Sequence, residues 1–184
     1  MATVQLFAWN TVEQAGRTPV AWTGAVATSM RAPNDGNYGT MNIANGVNDS
    51  NSIVGNDWRT AAGGAFPWAG LTPSSIQVDY FLKNNGPAYT FPVAAYLADS
   101  PQTFYIEIWN GDLSLAPGAG AYVTMATRTD ANMLAALKAG NLVASIIGYN
   151  HGQAASVSET IDAMRLTVAY TGVPAGAGGM LWEG

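Results

Sequence analysis

Hydrophobic residues recur along this chain mostly at every second position, in short runs separated by Gly, Asn, Asp and Pro. The clearest case is residues 141 to 170, NLVASIIGYNHGQAASVSETIDAMRLTVAY. There an apolar run leads through a polar loop into a segment whose Ile161, Ala163, Leu166 and Val168 mark one side as core. Period two is the signature of a strand with one face buried, because successive side chains point to opposite faces of the sheet. From Ser74 onward the same texture gives SSIQVDYFLK, TFPVAAYLAD, TFYIEIWNGD, GAYVTMAT, NLVASIIGY and AMRLTVAY, with the turn signals NNGP, DSP, NGD and APGAG falling between them. Short strands at this spacing predict antiparallel pairing rather than parallel strands joined by crossover helices.

Three other zones complete the pattern. Residues 1 to 33 alternate at Val4, Leu6 and Ala8, then pass through AGRTP into VAWTGAVATSM, which predicts two strands and a turn around Gly16 and Pro19, with Trp22 in the core. Residues 34 to 73 are dense in Asn, Asp, Gly and Ser and predict a long irregular excursion carrying one or two short strands. Loops of that length in compact domains are often functional, which makes this zone the leading candidate for partner contacts. Only DANMLAALK, residues 130 to 138, reads as a helix: Asp130 is placed to cap it, Met133, Leu134 and Leu137 form its apolar stripe, and Gly140 lies just past its end. The expected fold is therefore all-β, an antiparallel β-sandwich of jelly-roll type with one short helix plugging an end. A single domain over 1–184 is expected, with 1–10 and 172–184 as extensions that contact neighbours.

Composition changes the picture in one respect. The chain of 184 residues is 48% hydrophobic but only 10% charged, against about 25% in an average soluble domain. A surface so poor in charge suits packing against neighbouring copies, since each charge buried there would need a partner. The net charge is −5, and the cations Arg17, Arg31, Arg59, Lys83, Arg128, Lys138 and Arg165 are scattered along the chain. Nucleic-acid phosphates and anionic membranes call for clustered Lys and Arg, so neither is an expected partner. Cysteine is absent, which removes disulfides, thiolate metal sites and cysteine nucleophiles together. The opening MATVQLFAWN does not have the pattern of a secretory signal, and no run approaches the ~20 apolar residues of a membrane span.

Catalytic chemistry finds little to stand on. The chain's one histidine, His151 in the turn YNHGQ, is better placed as a solvated loop residue than as a triad base. Gly-rich APGAGAY and PAGAGG lack the Lys and Ser/Thr of a phosphate loop. Glu107 in YIEIWN is the most suggestive carboxylate; strict alternation puts it with Tyr105 and Trp109 on one face and Ile106 and Ile108 on the other. That face serves equally as an outer surface buried by a neighbour. The NDGN and NDSN clusters at 34–37 and 48–51, with Asp57, offer oxygen ligands for a structural Ca²⁺, although turn formation explains the same residues. Indoles cover the apolar faces of sugars well, so Trp58, Trp68 and Trp109, with Tyr105, are the candidate glycan or partner contacts. Phe66, Pro67 and Trp68 equally serve to clamp the loop onto the sandwich.

The succession AWTGAVATSMRAPNDGNYGTM, FPWAGLTPSSIQVDYFLK, AYLAD, LKAGNLVASIIGY and IDAMRLTVAY resembles a loosely defined group of β-sandwich modules found in bacteriophage structural proteins and in some bacterial surface proteins. The matching features are Trp22, the Asp35-Gly36 pair followed by Tyr38, the Thr72-Pro73 step before a strand, and the stretch from Asp162 to Tyr170. The resemblance covers roughly residues 20 to 171 and implies no catalytic residues. With the low-charge surface it implies a virion structural protein, a capsid decoration or auxiliary protein assembled in a host cytoplasm and displayed on the virion surface. Its partners would be major capsid or tail proteins and further copies of itself, a trimer being favoured because shells offer threefold sites. Leu6, Phe7 and Trp9 at one end and Met180, Leu181 and Trp182 at the other are the expected subunit contacts. The alternative expectation is a tail, fibre or lectin-like module that binds cell-surface glycan. No cofactor and no enzymatic activity are expected.

Overall fold

The computed structural model of the chain describes residues 1–14, 21–24, 30–32, 38–43, 51–86, 90–100, 104–149 and 157–173. In chain order the elements are β1 (Ala2–Gln14), β2 (Thr23–Gly24), β3 (Gly39–Ile43), β4 (Ser52–Arg59), β5 (Leu71–Asn84), β6 (Thr90–Asp99), β7 (Tyr105–Ser114), β8 (Gly120–Arg128), α1 (Ala131–Ala139), β9 (Leu142–Gly148) and β10 (Val157–Gly172). All strand pairs are antiparallel. The expected jelly-roll type of β-sandwich with one short helix is the fold observed.

The hub is β10. Along one edge it pairs with β5, whose other edge carries β8; along its opposite edge it pairs first with β3 and then with Ala2 to Phe7 of β1. From Phe7 onward β1 exchanges β10 for β4, and the ladder continues through β9 and β6 to β7. One hydrogen-bonded path thus folds over itself into two layers, with β1 serving both. The burial phase of β1 slips where it changes partner: Leu6 and Ala8 are buried, then Thr11 rather than Asn10. Leu6, expected to touch a neighbouring subunit, lies in the core together with Ala8. Leu6 is fully buried in its own core and is not available as a subunit contact, and Phe7 and Trp9 are half-buried beside it.

The core forms between the layers from alternate residues. Ile76, Val78, Tyr80 and Leu82 of β5 face Val93, Ala95 and Leu97 of β6 and Leu142, Ala144 and Ile146 of β9. The buried Tyr80 hydroxyl crosses to donate to the Ser145 carbonyl at 3.1 Å, and burial pushes its ionisation far above the ordinary phenol range. The layers touch closely enough that a Cβ added at Gly55 of β4 would strike the Met164 sulfur of β10. In β10 a register shift between Ile161 and Ala163 moves the buried series from Ile161 to Met164, Leu166 and Val168. This bulge explains why the apolar spacing in IDAMRLTVAY is not uniform.

Several predicted boundaries move. Among the described residues of VAWTGAVATSM are the two-residue β2 and an isolated bridge from Met30 to Ala8. The excursion at 34–73 holds β3, β4 and the first residues of β5, which starts at Leu71 rather than Ser74. Pro73, which has no N–H to donate, sits opposite Tyr170 at a second register shift. The helix begins at Ala131, but the Asp130 side chain does not cap it. Its carboxylate instead accepts from Arg128 Nε at 2.9 Å, a bond that holds it below the usual carboxylate range. Gly140 ends the helix in the left-handed region at φ 78°, its N–H reaching the Ala136 and Leu137 carbonyls.

Candidate functional site

Two regions gather aromatic and polar side chains. The first is the outer face of β7, β6 and β9. Along β6, Val93, Ala95 and Leu97 point inward, so Ala94, Tyr96 and Ala98 point out. Tyr96 stands opposite Glu107 on one side and Ser145 on the other, while Ala98 stands opposite Tyr105 and Ala94 opposite Asn110. Tyr96 is half-buried among its small neighbours Ala94, Ala98 and Ser145. The rings of Tyr96 and Tyr105 stack at 4.8 Å with 21° between their planes, and Tyr105 is 57% exposed. Beside them Asn110 donates to Glu107 Oε2 at 3.2 Å and accepts from the Tyr149 hydroxyl at 2.9 Å.

Electrostatics keep these phenols as proton donors. The Tyr96 hydroxyl is pushed up to about 12, by burial first and then by neighbouring Tyr105 and Glu107. Tyr105 is raised by burial, partly offset by its hydrogen bond with Tyr96, and Tyr149 by burial and then by Asp112. The face therefore offers the Tyr105 ring, an amide and a carboxylate to solvent, while the Tyr149 ring is buried and its hydroxyl is bonded to Asn110. Continuing across β9 to β4 and β1 it meets Val54 and the Asn10–Asn56 amide pair, bonded at 2.8 Å. Five strands about 4.8 Å apart make this surface roughly 19 Å wide.

Strict alternation placed Trp109 on that face, and the structure corrects it. The pairing of β6 with β7 shifts between Ala95 and Tyr96, leaving Ile108 as the extra residue. Beyond this bulge Trp109 pairs with the inward-facing Ala95, packs half-buried against the core, and donates its indole N–H to the Gly111 carbonyl at 3.3 Å. Tyr105 and Glu107 remain outside as expected, and they are joined by Tyr96, Asn110 and Tyr149, which sequence reasoning did not select. Tyr96 was legible in the alternation of VAAYLAD; Tyr149 was not, because its position depends on β9 lying next to β6.

The second region is a partly enclosed cleft of about 240 Å³ at one end of the sandwich, lined by Asp57, Trp58, Phe66, Trp68 and Lys138 among others. Trp58 and Trp68, both predicted contacts, meet here. Asp57 has φ 53°, a left-handed conformation that Asp tolerates better than most residues. Trp58 is locked by an indole N–H donated to the Leu142 carbonyl at 2.8 Å. Phe66 meets Trp68 edge to face at 4.6 Å and Tyr170 at 5.3 Å, so the loop is clamped to β10 while its rings still line the cleft. Asp57 accepts from Arg59 Nε at 2.9 Å and pairs with its terminal nitrogen at 2.8 Å. The Arg31 and Arg59 guanidinium carbons lie 4.5 Å and 5.8 Å from the adjoining Trp9 ring centroid, and a Cβ added at Gly63 would come within 2.6 Å of the same indole.

Of the remaining predicted residues, Trp22 is buried and donates to the Asn51 carbonyl at 2.6 Å. His151, the NDGN cluster, Asn48 to Ser50, and Met180, Leu181 and Trp182 lie outside the described residues. Among the described residues no group of three or more His, Cys, Asp or Glu is arranged to hold a metal ion.

No family model matches the chain, and no curated protein does. Solved structures resemble it weakly. A CBM4 structure is 13% identical with TM-score 0.39, covering 76% of this chain and 86% of the other. The family 30 carbohydrate-binding module of the Clostridium thermocellum cellulosomal cellulase Cel9D-Cel44B is 8% identical with TM-score 0.42, covering 90% and 97%. The N-terminal cellulose-binding domain of Cellulomonas fimi β-1,4-glucanase C is 14% identical with TM-score 0.35, covering 89% of each chain. The expectation of a capsid decoration protein is corrected here. The three structures named above are described as carbohydrate- or cellulose-binding and none as a virion protein, and the N-terminal segment expected to bind neighbours is instead the strand that joins the two layers.

Proposed function

We propose that the chain is a glycan-binding module that holds a neutral oligosaccharide along the outer face of β7, β6 and β9 without cleaving it. The carrying observation is the exposed Tyr105 ring stacked on the half-buried Tyr96, beside the exposed Glu107 and Asn110. A pyranose ring has an apolar C–H face and a rim of hydroxyls. Aromatic rings cover the face, and phenol, amide and carboxylate groups fix the rim. Glu107 acts here as an acceptor for sugar hydroxyls, and Glu107→Gln weakens binding without altering any turnover of glycan.

The test is a microarray of plant and bacterial cell-wall oligosaccharides, followed by calorimetric titration of each hit against the wild type and Tyr105→Ala. Saturable binding that drops at least tenfold in the variant is expected. An array without a single hit overturns the reading, as does binding that is indifferent to Tyr105.

A further inference from the structure

The end cleft has features that the open face lacks. Its volume of about 240 Å³ lies below the ~300 Å³ at which drug-sized pockets begin, which leaves room for one ring and not for a chain. Its aromatic walls are fixed in advance, Trp58 by its bond to the Leu142 carbonyl and Trp68 by edge contacts with Phe66 and Tyr170. Fixed rings lose little freedom on binding, so contact area converts into affinity with a smaller entropic loss.

Charge selects among one-ring ligands. The carboxylate of Asp57 is engaged by Arg59 through both of its oxygens. Lys138 on the same wall is exposed and belongs to no ion pair among the described residues. Asp57, Arg59 and Lys138 together carry one net positive charge, in a chain whose net charge is −5. A cation in the last turn of α1 is favoured by the helix dipole alone. The dipole does not account for two indoles and a phenyl ring beside it.

We propose that this cleft binds a single carboxylated pyranose, a hexuronic acid residue at the end of a glycan, with its ring against Trp58 and Trp68 and its carboxylate on Lys138. The choice of a sugar rests on the glycan-binding reading, while the site itself uses none of the residues of the open face. At 0.15 M salt the screening length is about 8 Å, so the acidic remainder of the chain opposes the ligand little while the direct contact survives.

The experiment titrates methyl β-D-glucuronide and methyl β-D-glucoside into ¹⁵N-labelled protein, followed by amide chemical shifts. The glucuronide is expected to move the Trp58 and Trp68 indole signals saturably and to bind about tenfold more tightly than the glucoside. Lys138→Gln, a change at an exposed position, should remove that preference, and Tyr105→Ala should leave it intact. Equal affinity for the two glycosides overturns the acidic ligand class. Absence of saturable shifts at Trp58 and Trp68, or a Lys138→Gln protein that still prefers the glucuronide, overturns the site. If glucuronide fails while oligosaccharides still bind through Tyr105, only this inference falls; if both fail, the glycan-binding reading falls too.

Discussion

The outer faces of the two layers use similar residues to opposite ends. On the face of β8, β5 and β10, Asp79 is 1% exposed and accepts from Gln77 at 2.9 Å, Thr124 at 2.7 Å and Arg165 Nε at 3.1 Å. The Arg165 guanidinium in turn lies 3.8 Å from the Tyr122 ring centroid, and Tyr122 meets Phe81 edge to face at 5.3 Å. On the face of β7, β6 and β9, Glu107 is exposed, takes a bond from Asn110, and stands beside an exposed tyrosine, Tyr105, stacked on the half-buried Tyr96. Residue type does not separate a structural network from a binding surface. What separates them is exposure: Asp79 is sealed within its network, whereas Glu107 and Asn110 are bonded to each other yet still face water.

That contrast breaks most sharply at Asp79. Asp79→Ala strands Arg165 against the sheet and is expected to lower unfolding free energy by about 3–5 kcal/mol in urea titrations, while folded protein keeps its oligosaccharide affinity. A loss below about 1 kcal/mol would place the two faces on the same footing.

Glu159 sharpens it from inside the core. Both carboxyl oxygens are buried without a hydrogen-bond partner, close to Met41 and Gly148, and burial raises its ionisation well above 4.5. A carboxyl raised in the folded state stabilises most below its unfolded value and loses that contribution as pH climbs toward the folded one. Relative to Glu159→Gln, wild-type stability is expected to fall by about 1.4 kcal/mol per pH unit above 4.5, until the folded group ionises. Parallel pH profiles for the two proteins would contradict this.

On the open face the order of effects reverses. Tyr105→Ala is expected to change stability by less than about 1 kcal/mol, because the ring is largely exposed, yet to weaken oligosaccharide binding about tenfold. Asn110→Ala removes one polar partner and should cost only about 0.5–1.5 kcal/mol of binding free energy by calorimetry.

Much of the fold was legible because alternation reports directly on a half-buried strand. TFPVAAYLAD coincides with β6 from end to end, and the helix is displaced by a single residue. The failures share one cause. Trp109 faces the wrong way because a bulge at Ile108 resets the phase, and Leu6 is core because β1 changes layers there. The bulge is not encoded in a local period, and although Leu6 belongs to the alternation of Val4, Leu6 and Ala8, the layers it joins follow from which strands lie alongside. The cleft was half legible: Trp58 and Trp68 stood out as indoles in a loop-rich zone, but Lys138 joined them only when the end of α1 came to rest beside β4. The low charge content pointed toward hidden surfaces, and the same composition suits a neutral face that meets uncharged sugar hydroxyls.

The most direct test is amide chemical-shift mapping of ¹⁵N-labelled protein titrated with β-1,4-linked and β-1,3-linked hexasaccharides. The account predicts saturable shifts clustered at residues 94–98, 105–110 and 143–149 for at least one of them. Shifts clustered instead around Asp79, Tyr122 and Arg165, or no shift with any hexasaccharide, would contradict it.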